Sequence, residues 1–194
     1  MATTSSEPGG RTPAPEPLRL VQQFLNTNDR EGGRDAFAGP TQTARWFREA
    51  GLHVARLDAK EVSRAVELRE LLRALLLANN AQPLDERQLA ALDRIAERAG
   101  VVVRFDRTRP KLEPRGSAFD RALGQLLSVV FTAMVDGTWT RLKACRRDVC
   151  QWAFYDYSKN RSGTWCSMDV CGNRVKTSAY WRRTHPPRTG ARDR

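Results

Sequence analysis

The sequence predicts an α+β fold that is mainly α: a helical N-terminal domain with a small β-hairpin, then a C-terminal four-cysteine module made of a β-hairpin plus a helix. Three observations carry that expectation. Apolar residues recur at helical spacing between residues 18 and 137, with capping side chains at the segment starts. One β-branched run, Val101-Val102-Val103-Arg104-Phe105, interrupts the helices and is followed by a polar turn and Lys111-Leu112-Glu113, the pattern of a hairpin. The four cysteines, Cys145, Cys150, Cys166 and Cys171, all lie beyond that region.

Residues 1–17 are rich in Pro, Gly, Ser, Thr and Glu and have no apolar stretch, so they are expected to be disordered and to carry no secretory signal. Leu20, Phe24 and Leu25 mark a first helix that loses its pattern at Asn26-Thr27-Asn28. Thr41 is the expected N-cap of a second helix, with Ala44 and Phe47 on one face and Gly51 as its stop. Asp58 and Glu61 form a capping box for a long helix striped by Ala65, Leu68, Leu72 and Leu75. Asp85 with Gln88 opens a helix that Gly100 ends. Ser117 with Asp120 opens the last, whose Phe119, Leu123, Leu126, Val130 and Met134 are expected in the core, with Gly137 closing it. The longest apolar stretch, Ala122 to Val135, is broken by Gly124, Gln125, Ser128 and Thr132. It is too short to span a bilayer, so the expectation is a soluble cytoplasmic protein with no membrane partner.

The cysteines read C-x4-C, fifteen residues, C-x4-C, within 27 residues. In a reducing compartment two such pairs point to metal ligation rather than disulfides. Four thiolates suit one structural Zn2+ in a closed tetrahedron, leaving no open position for catalysis. Trp152 to Tyr155 alternates like a strand, residues 158–163 turn, and Thr164-Trp165 is expected to return beside it. Ser167 can cap a helix that carries Cys171 in its first turns. No phosphate-binding glycine loop is present, and His53 and His185 are the only histidines, so the residues do not read as an enzyme.

The net charge of +11 is uneven. Residues 141–194 hold 13 Lys and Arg against 4 Asp and Glu, so most of the excess sits beside the cysteines. Such concentration points to a polyanionic partner. DNA is the favoured one; RNA or an acidic protein are the alternatives, and a homodimer would let the chain read two half-sites.

The run Trp165-Cys166-Ser167-Met168-Asp169-Val170-Cys171-Gly172-Asn173-Arg174 resembles the CGNR zinc finger, whose tetrad stands here as Cys171 to Arg174. Arg141 to Cys145, Cys150-x-Trp152-x-Phe154-Tyr155-Asp156 and Lys159-Asn160-Arg161 extend the likeness. Upstream, Phe24-Leu25-Asn26-Thr27, Trp46-Phe47, Ala50-Gly51-Leu52, Leu68-Arg69-Glu70 and Leu72-Arg73 resemble the ABATE domain of stress-induced transcription regulators. The resemblance implies a bacterial regulator with an N-terminal sensor or dimerisation domain over 18–137 and a finger over 138–185 that binds DNA; beyond His185, Pro186-Pro187 and the basic residues after them read as a disordered tail over 186–194. Ala179-Tyr180-Trp181 departs from the family by interrupting its basic run.

On the finger, Asn173, Arg174, Lys176, Arg182 and Arg183 of the helix, with Lys159 and Arg161 of the turn, are the candidate nucleic-acid contacts. Asn173 can pair with adenine or hydrogen-bond backbone beside Cys171, and Arg174 can meet phosphate or offset the thiolate charge. Trp152, Phe154 and Trp165 are expected to form the finger's small core. Trp181 and Tyr155 would stack on bases if the target were single-stranded. In the helical domain Asn26, Thr27, Trp46, Arg69 and Arg73 are candidates to line a small-molecule pocket, although capping, salt bridges and packing also account for such residues.

Overall fold

The computed structural model describes residues 8–184. Six helices and three two-stranded antiparallel hairpins follow one another among them: α1 Leu18–Leu25, β1 Asn28–Asp29, β2 Arg34–Asp35, α2 Pro40–Glu49, α3 Ala59–Ala78, α4 Glu86–Ala99, β3 Val102–Phe105, β4 Pro110–Glu113, α5 Ala118–Val135, β5 Leu142–Ala144, β6 Ala153–Tyr155 and α6 Asn173–Thr184. The expected tail at 186–194 and residues 1–7 lie outside the described residues.

The helices begin where local chemistry satisfies their first N–H groups. Asp58 Oδ1 accepts from Glu61 N–H at 2.7 Å while Glu61 Oε2 accepts from Asp58 N–H at 2.9 Å. Asp85 and Gln88 repeat the reciprocal arrangement on α4, and Gly100 ends that helix at φ 58°. Ser117 Oγ caps α5 through Asp120 N–H at 3.0 Å. For α2 the expected cap is displaced by two residues: Gly39 is the N-cap and Pro40, whose missing N–H costs nothing there, opens the helix.

Helix α3 is the hub, packed against α1, α2, α4 and α5. Its stripe Ala65, Leu68, Leu72 and Leu75 is buried, as are Phe119, Leu123, Leu126 and Val130 of α5. Met134, expected among them, is instead 45% exposed, because the buried face at the last turn of α5 passes through Ala133, one residue round the helix. Gly124 lies where β4 ends against α5; a Cβ there would sit 2.5 Å from Cβ of Pro114. As a full helix of 18 residues, α5 is long and apolar enough to cross a membrane by length and composition, which the shorter stretch in the sequence did not suggest. One side of it instead forms the core of the helical part.

Three further differences from expectation matter. A hairpin at β1–β2, unforeseen, follows α1. Residues 8–17, expected to be disordered, run across the finger: Ala14 is buried, Arg11 Nη2 donates to Trp165 C=O at 3.0 Å with its guanidinium 4.6 Å from the Phe154 ring centre, and Pro13 C=O accepts from Tyr157 Oη at 2.8 Å. Polar composition hid this segment because, apart from Ala14 in the core, its contacts are made by backbone and by one arginine. Finally, β6 does not pair with Thr164-Trp165. Its partner is β5, in register Leu142 to Tyr155 and Ala144 to Ala153, so the first cysteine pair forms the tip of the hairpin.

That hairpin joins the two parts of the chain. Side chains alternate across a strand, so Ala153 and Tyr155, with Leu142 and Ala144, enter the core of the helical part, while Phe154 turns to the cysteines. Asparagines at the end of α3 fix the docking. Asn79 Nδ2 donates to Trp139 C=O and Leu142 C=O, both at 2.9 Å, and Asn80 Nδ2 to Ala144 C=O at 2.8 Å and Thr164 C=O at 2.9 Å.

Candidate metal centre and nucleic-acid interface

The four thiols are buried, and their sulfur atoms lie within 4.8 Å of one another. Cys145 and Cys150 flank the hairpin tip, Cys166 precedes a capped turn, and Cys171 lies in that turn, Met168–Gly172, wound more widely than an α-helix. Ser167 Oγ caps it by accepting from Val170 N–H at 3.3 Å. The sulfur separations include 3.7 Å for Cys150 to Cys166 and 3.5 Å for Cys166 to Cys171. Both are far beyond a disulfide, and they suit a tetrahedron whose bonds to zinc are about 2.3 Å and whose edges are therefore about 3.8 Å.

Packing and protonation agree with this. Phe154 is buried and Trp152, Trp165 and Val170 half-buried against the thiols, the small apolar core expected of a metal-stapled module. Hydrogen bonds from Cys150 and then Cys166 pull the Cys145 thiol down to about 2, while the same partnership with Cys145 pushes Cys150 up to about 12 and Cys166 upward as well. Zinc binds thiolates, so its uptake releases the protons that these neighbouring thiols otherwise hold. The chain therefore holds one structural zinc through Cys145, Cys150, Cys166 and Cys171.

From this centre the cationic residues emerge on two separate elements. Helix α6 continues from the Cys171 turn and presents Asn173, Arg174 and Lys176 exposed on its first turns; Asn173 has no side-chain hydrogen bond among the described residues, so the backbone contact weighed for it is not made. Arg182 and Arg183 lie farther along α6, but their side chains fall outside the described residues. Lys159 and Arg161 belong to the 156–163 loop. No hydrogen bond or ion pair joins them to α6 among the described residues; Arg161 Nη1 instead reaches Thr140 Oγ1 at 3.4 Å. That loop is held from below by a buried pair the residue types alone did not reveal. Lys143 Nζ lies 2.9 Å from Asp156 Oδ2 and also donates to the Arg161 and Gly163 carbonyls. Asp156 in turn accepts from Ser158 N–H at 3.0 Å and Gly163 N–H at 2.7 Å.

The thiolate charge is met by Arg147, not by Arg174: Arg147 Nη1 is 3.9 Å from Cys171 Sγ. Arg147 and Arg174 both donate to Glu31 Oε1. The Arg147 hydrogen bond, with the charges of Arg147 and Arg174, holds the Glu31 carboxyl below its ordinary range against its partial burial. Nothing local marks Glu31, since the contact spans more than a hundred residues of sequence.

The five candidate pocket residues divide. Asn26, Thr27 and Trp46 reach the wall of a cleft of about 900 Å³ between the helical part and the finger, closed on the far side by Trp152 and the cysteine turn. Asn26 also spends its amide on Ala153 of β6. Trp46 packs with ring centres 5.5 Å from Phe24 and from Phe37. Arg69 and Arg73 do not reach the cleft; both are buried behind it. Arg69 forks onto Asp35, Nη1 to Oδ1 and Nη2 to Oδ2 at 2.7 Å each, and takes Thr27 Oγ1 at 3.1 Å. Arg73 donates to Leu25 C=O at 2.7 Å, Gln151 C=O at 2.8 Å and Glu70 Oε2 at 3.0 Å. Buried guanidiniums need this full set of acceptors, which accounts for both arginines structurally.

Comparison with known proteins fits these two parts. Residues 141–184 match the family model for the CGNR zinc finger, and residues 18–137 match the ABATE model, whose description reads "Putative stress-induced transcription regulator". Neither is an enzyme family. No curated protein matches the chain. With more than half its length covered by the second match, the chain belongs to the ABATE family and carries a CGNR zinc finger at the C-terminal end of that domain.

Proposed function

We propose that the protein is a DNA-binding transcription regulator of the cytoplasm, acting at the nucleoid, in which zinc fixes the direction of one basic helix. The observation that carries this reading is the attachment of α6 directly to the Cys171 turn, with Asn173, Arg174 and Lys176 exposed at its start. A helix so anchored can lay its first turns against a duplex; Arg and Lys then meet phosphates and Asn173 is free to reach a base edge. Because phosphate contacts carry no sequence information, a homodimer reading two half-sites is the natural source of specificity. The helical domain, with Asn26, Thr27 and Trp46 on the wall of the cleft, is the sensor side of the molecule.

Binding of the zinc-loaded full chain to genomic duplex fragments, followed by fluorescence anisotropy across a salt series, tests the reading. Absence of any salt-dependent binding would sink it. Tyr180 and Trp181 of α6 are 59% and 56% exposed, which favours a second reading, stacking on unpaired bases of RNA. Single-stranded RNA that outcompetes duplex DNA would establish that alternative.

A further inference from the structure

Two arginines from distant parts of the finger converge on one oxygen. Arg147 comes from the knuckle between Cys145 and Cys150, Arg174 from the first turn of α6, and both donate to Oε1 of Glu31, Arg147 at 2.7 Å. Glu31 belongs to the helical domain, at the tip of the β1–β2 turn. The turn is built to hold it there. Asp29 accepts from Gly32 N–H and from Arg34 Nη2 at 2.8 Å each, and a Cβ at Gly32 would lie 2.2 Å from Asp29 Oδ2. At the base of the turn Asp35 is gripped by the fully buried Arg69.

We propose that Arg147 and Arg174 form an oxyanion site for a phosphate group, and that Glu31 is its internal occupant. The ligand class rests on the DNA-binding reading, which makes the group a backbone phosphate; the site itself rests on geometry alone. Two guanidiniums aimed at one point offer the forked donors that phosphate oxygens accept. The side chains are partly open to solvent, 55% for Arg174, 35% for Glu31 and 22% for Arg147, so exchange of carboxylate for phosphate needs no unfolding. Exposed ion pairs are weak, so the Glu31 carboxylate is a displaceable occupant, and a duplex offers a phosphate of equal charge whose neighbours along the backbone engage the remaining cations at the same time. Glu31 thereby lowers the finger's affinity and ties its occupancy to the β1–β2 turn of the helical domain. Leaving Arg174 through phosphate binding also releases that turn from α6.

The test compares wild type, Glu31→Gln, Glu31→Gln combined with Arg147→Gln or with Arg174→Gln, and Glu97→Gln as a control for net charge on an exposed face of α4. All are zinc-loaded full chains, checked for zinc content and melting temperature. Duplex DNA is titrated by anisotropy and inorganic pyrophosphate by calorimetry. Glu31→Gln is expected to bind duplex roughly three- to tenfold tighter than wild type, Glu97→Gln to change it less, and each double variant to lose the gain. A matching gain for pyrophosphate identifies a site open to any such oxyanion, whereas a gain for DNA alone assigns it to backbone phosphate. If pyrophosphate binding rises in Glu31→Gln but no variant binds DNA or RNA, the oxyanion site stands and the DNA reading falls. If wild type binds DNA and Glu31→Gln changes neither probe, the proposal falls and the DNA reading stands. If no chain binds either probe, both fall.

Discussion

The side-chain amide of Asn26 pairs with both backbone groups of Ala153: its Oδ1 accepts from the N–H at 2.8 Å and its Nδ2 donates to the C=O at 2.9 Å. The amide serves as a one-residue strand on the open edge of β6, a role only a donor–acceptor side chain of this length fills. Asn26→Asp sets a carboxylate against the Ala153 carbonyl, and Asn26→Leu leaves the Ala153 N–H unpaired and its carbonyl with Gln22 Nε2 alone, at 3.2 Å. Either should cost about 1–3 kcal/mol in urea unfolding. Asn26 is thus a docking residue of the finger, whatever else the cleft beside it binds.

Because Leu142, Ala144, Ala153 and Tyr155 share the helical core, finger and helical domain should unfold together. Leu142→Ala is expected to lose about 2–5 kcal/mol and to shift helix circular dichroism and tryptophan fluorescence by the same amount. Two separated transitions in the zinc-loaded protein would contradict the shared core.

The Lys143–Asp156 pair makes a pH prediction. Burial works to raise the Asp156 carboxyl, but hydrogen bonds involving Ser158 and Lys143, then the backbone of Ser158 and Gly163, bring it from 3.8 to about 2. A carboxyl whose folded pKa is depressed stabilises the fold above its unfolded value and loses that contribution as pH falls through the folded one. Stability should therefore drop by about 2 kcal/mol between roughly pH 4 and pH 2, and Asp156→Asn should remove that part of the slope. Lys143→Met, which strands a buried carboxylate, should be worse than Lys143→Met with Asp156→Asn, which removes the charge and keeps an acceptor for the Ser158 and Gly163 N–H groups.

Metal removal should act locally. Native mass spectrometry is expected to show one zinc per chain, and none in Cys166→Ser or Cys171→Ser. Chelation should redden the fluorescence of Trp152 and Trp165, which pack on the cysteines, while most helical signal from α1 to α5 persists. Acid should release the metal as the thiolates take up protons. An unchanged fluorescence after complete zinc loss would argue against a structural ion.

How far these features were legible in the sequence follows from the range of the interactions. The capping boxes at Asp58 and Asp85, the αL glycine at 100 and the paired cysteines announce themselves because each is decided within a few residues. The zinc site was readable for the same reason, with Ser167 marking the turn that carries Cys171. Pairing of β6 with β5 was not, since Leu142–Ala144 is too short to show a period and its partner is chosen by the helical core beneath it. Arg69 and Arg73 stood out as candidates to line a pocket, yet only the fold shows that Asp35, Leu25 and Gln151 satisfy them. Glu31 and Arg147 could not be linked from sequence at all, because their meeting depends on how the β1–β2 turn faces the finger.

On the proposed function, zinc aims α6 at nucleic-acid phosphate. The most direct test is the salt dependence of duplex binding by the zinc-loaded full chain, compared with the same chain carrying Arg174→Gln and Lys176→Gln. With about four phosphates neutralised, log affinity should fall against log salt with a slope of roughly −3.6, and the double variant should flatten it by about 1.8. A slope that the two substitutions leave unchanged, in protein that keeps its zinc, would contradict the account.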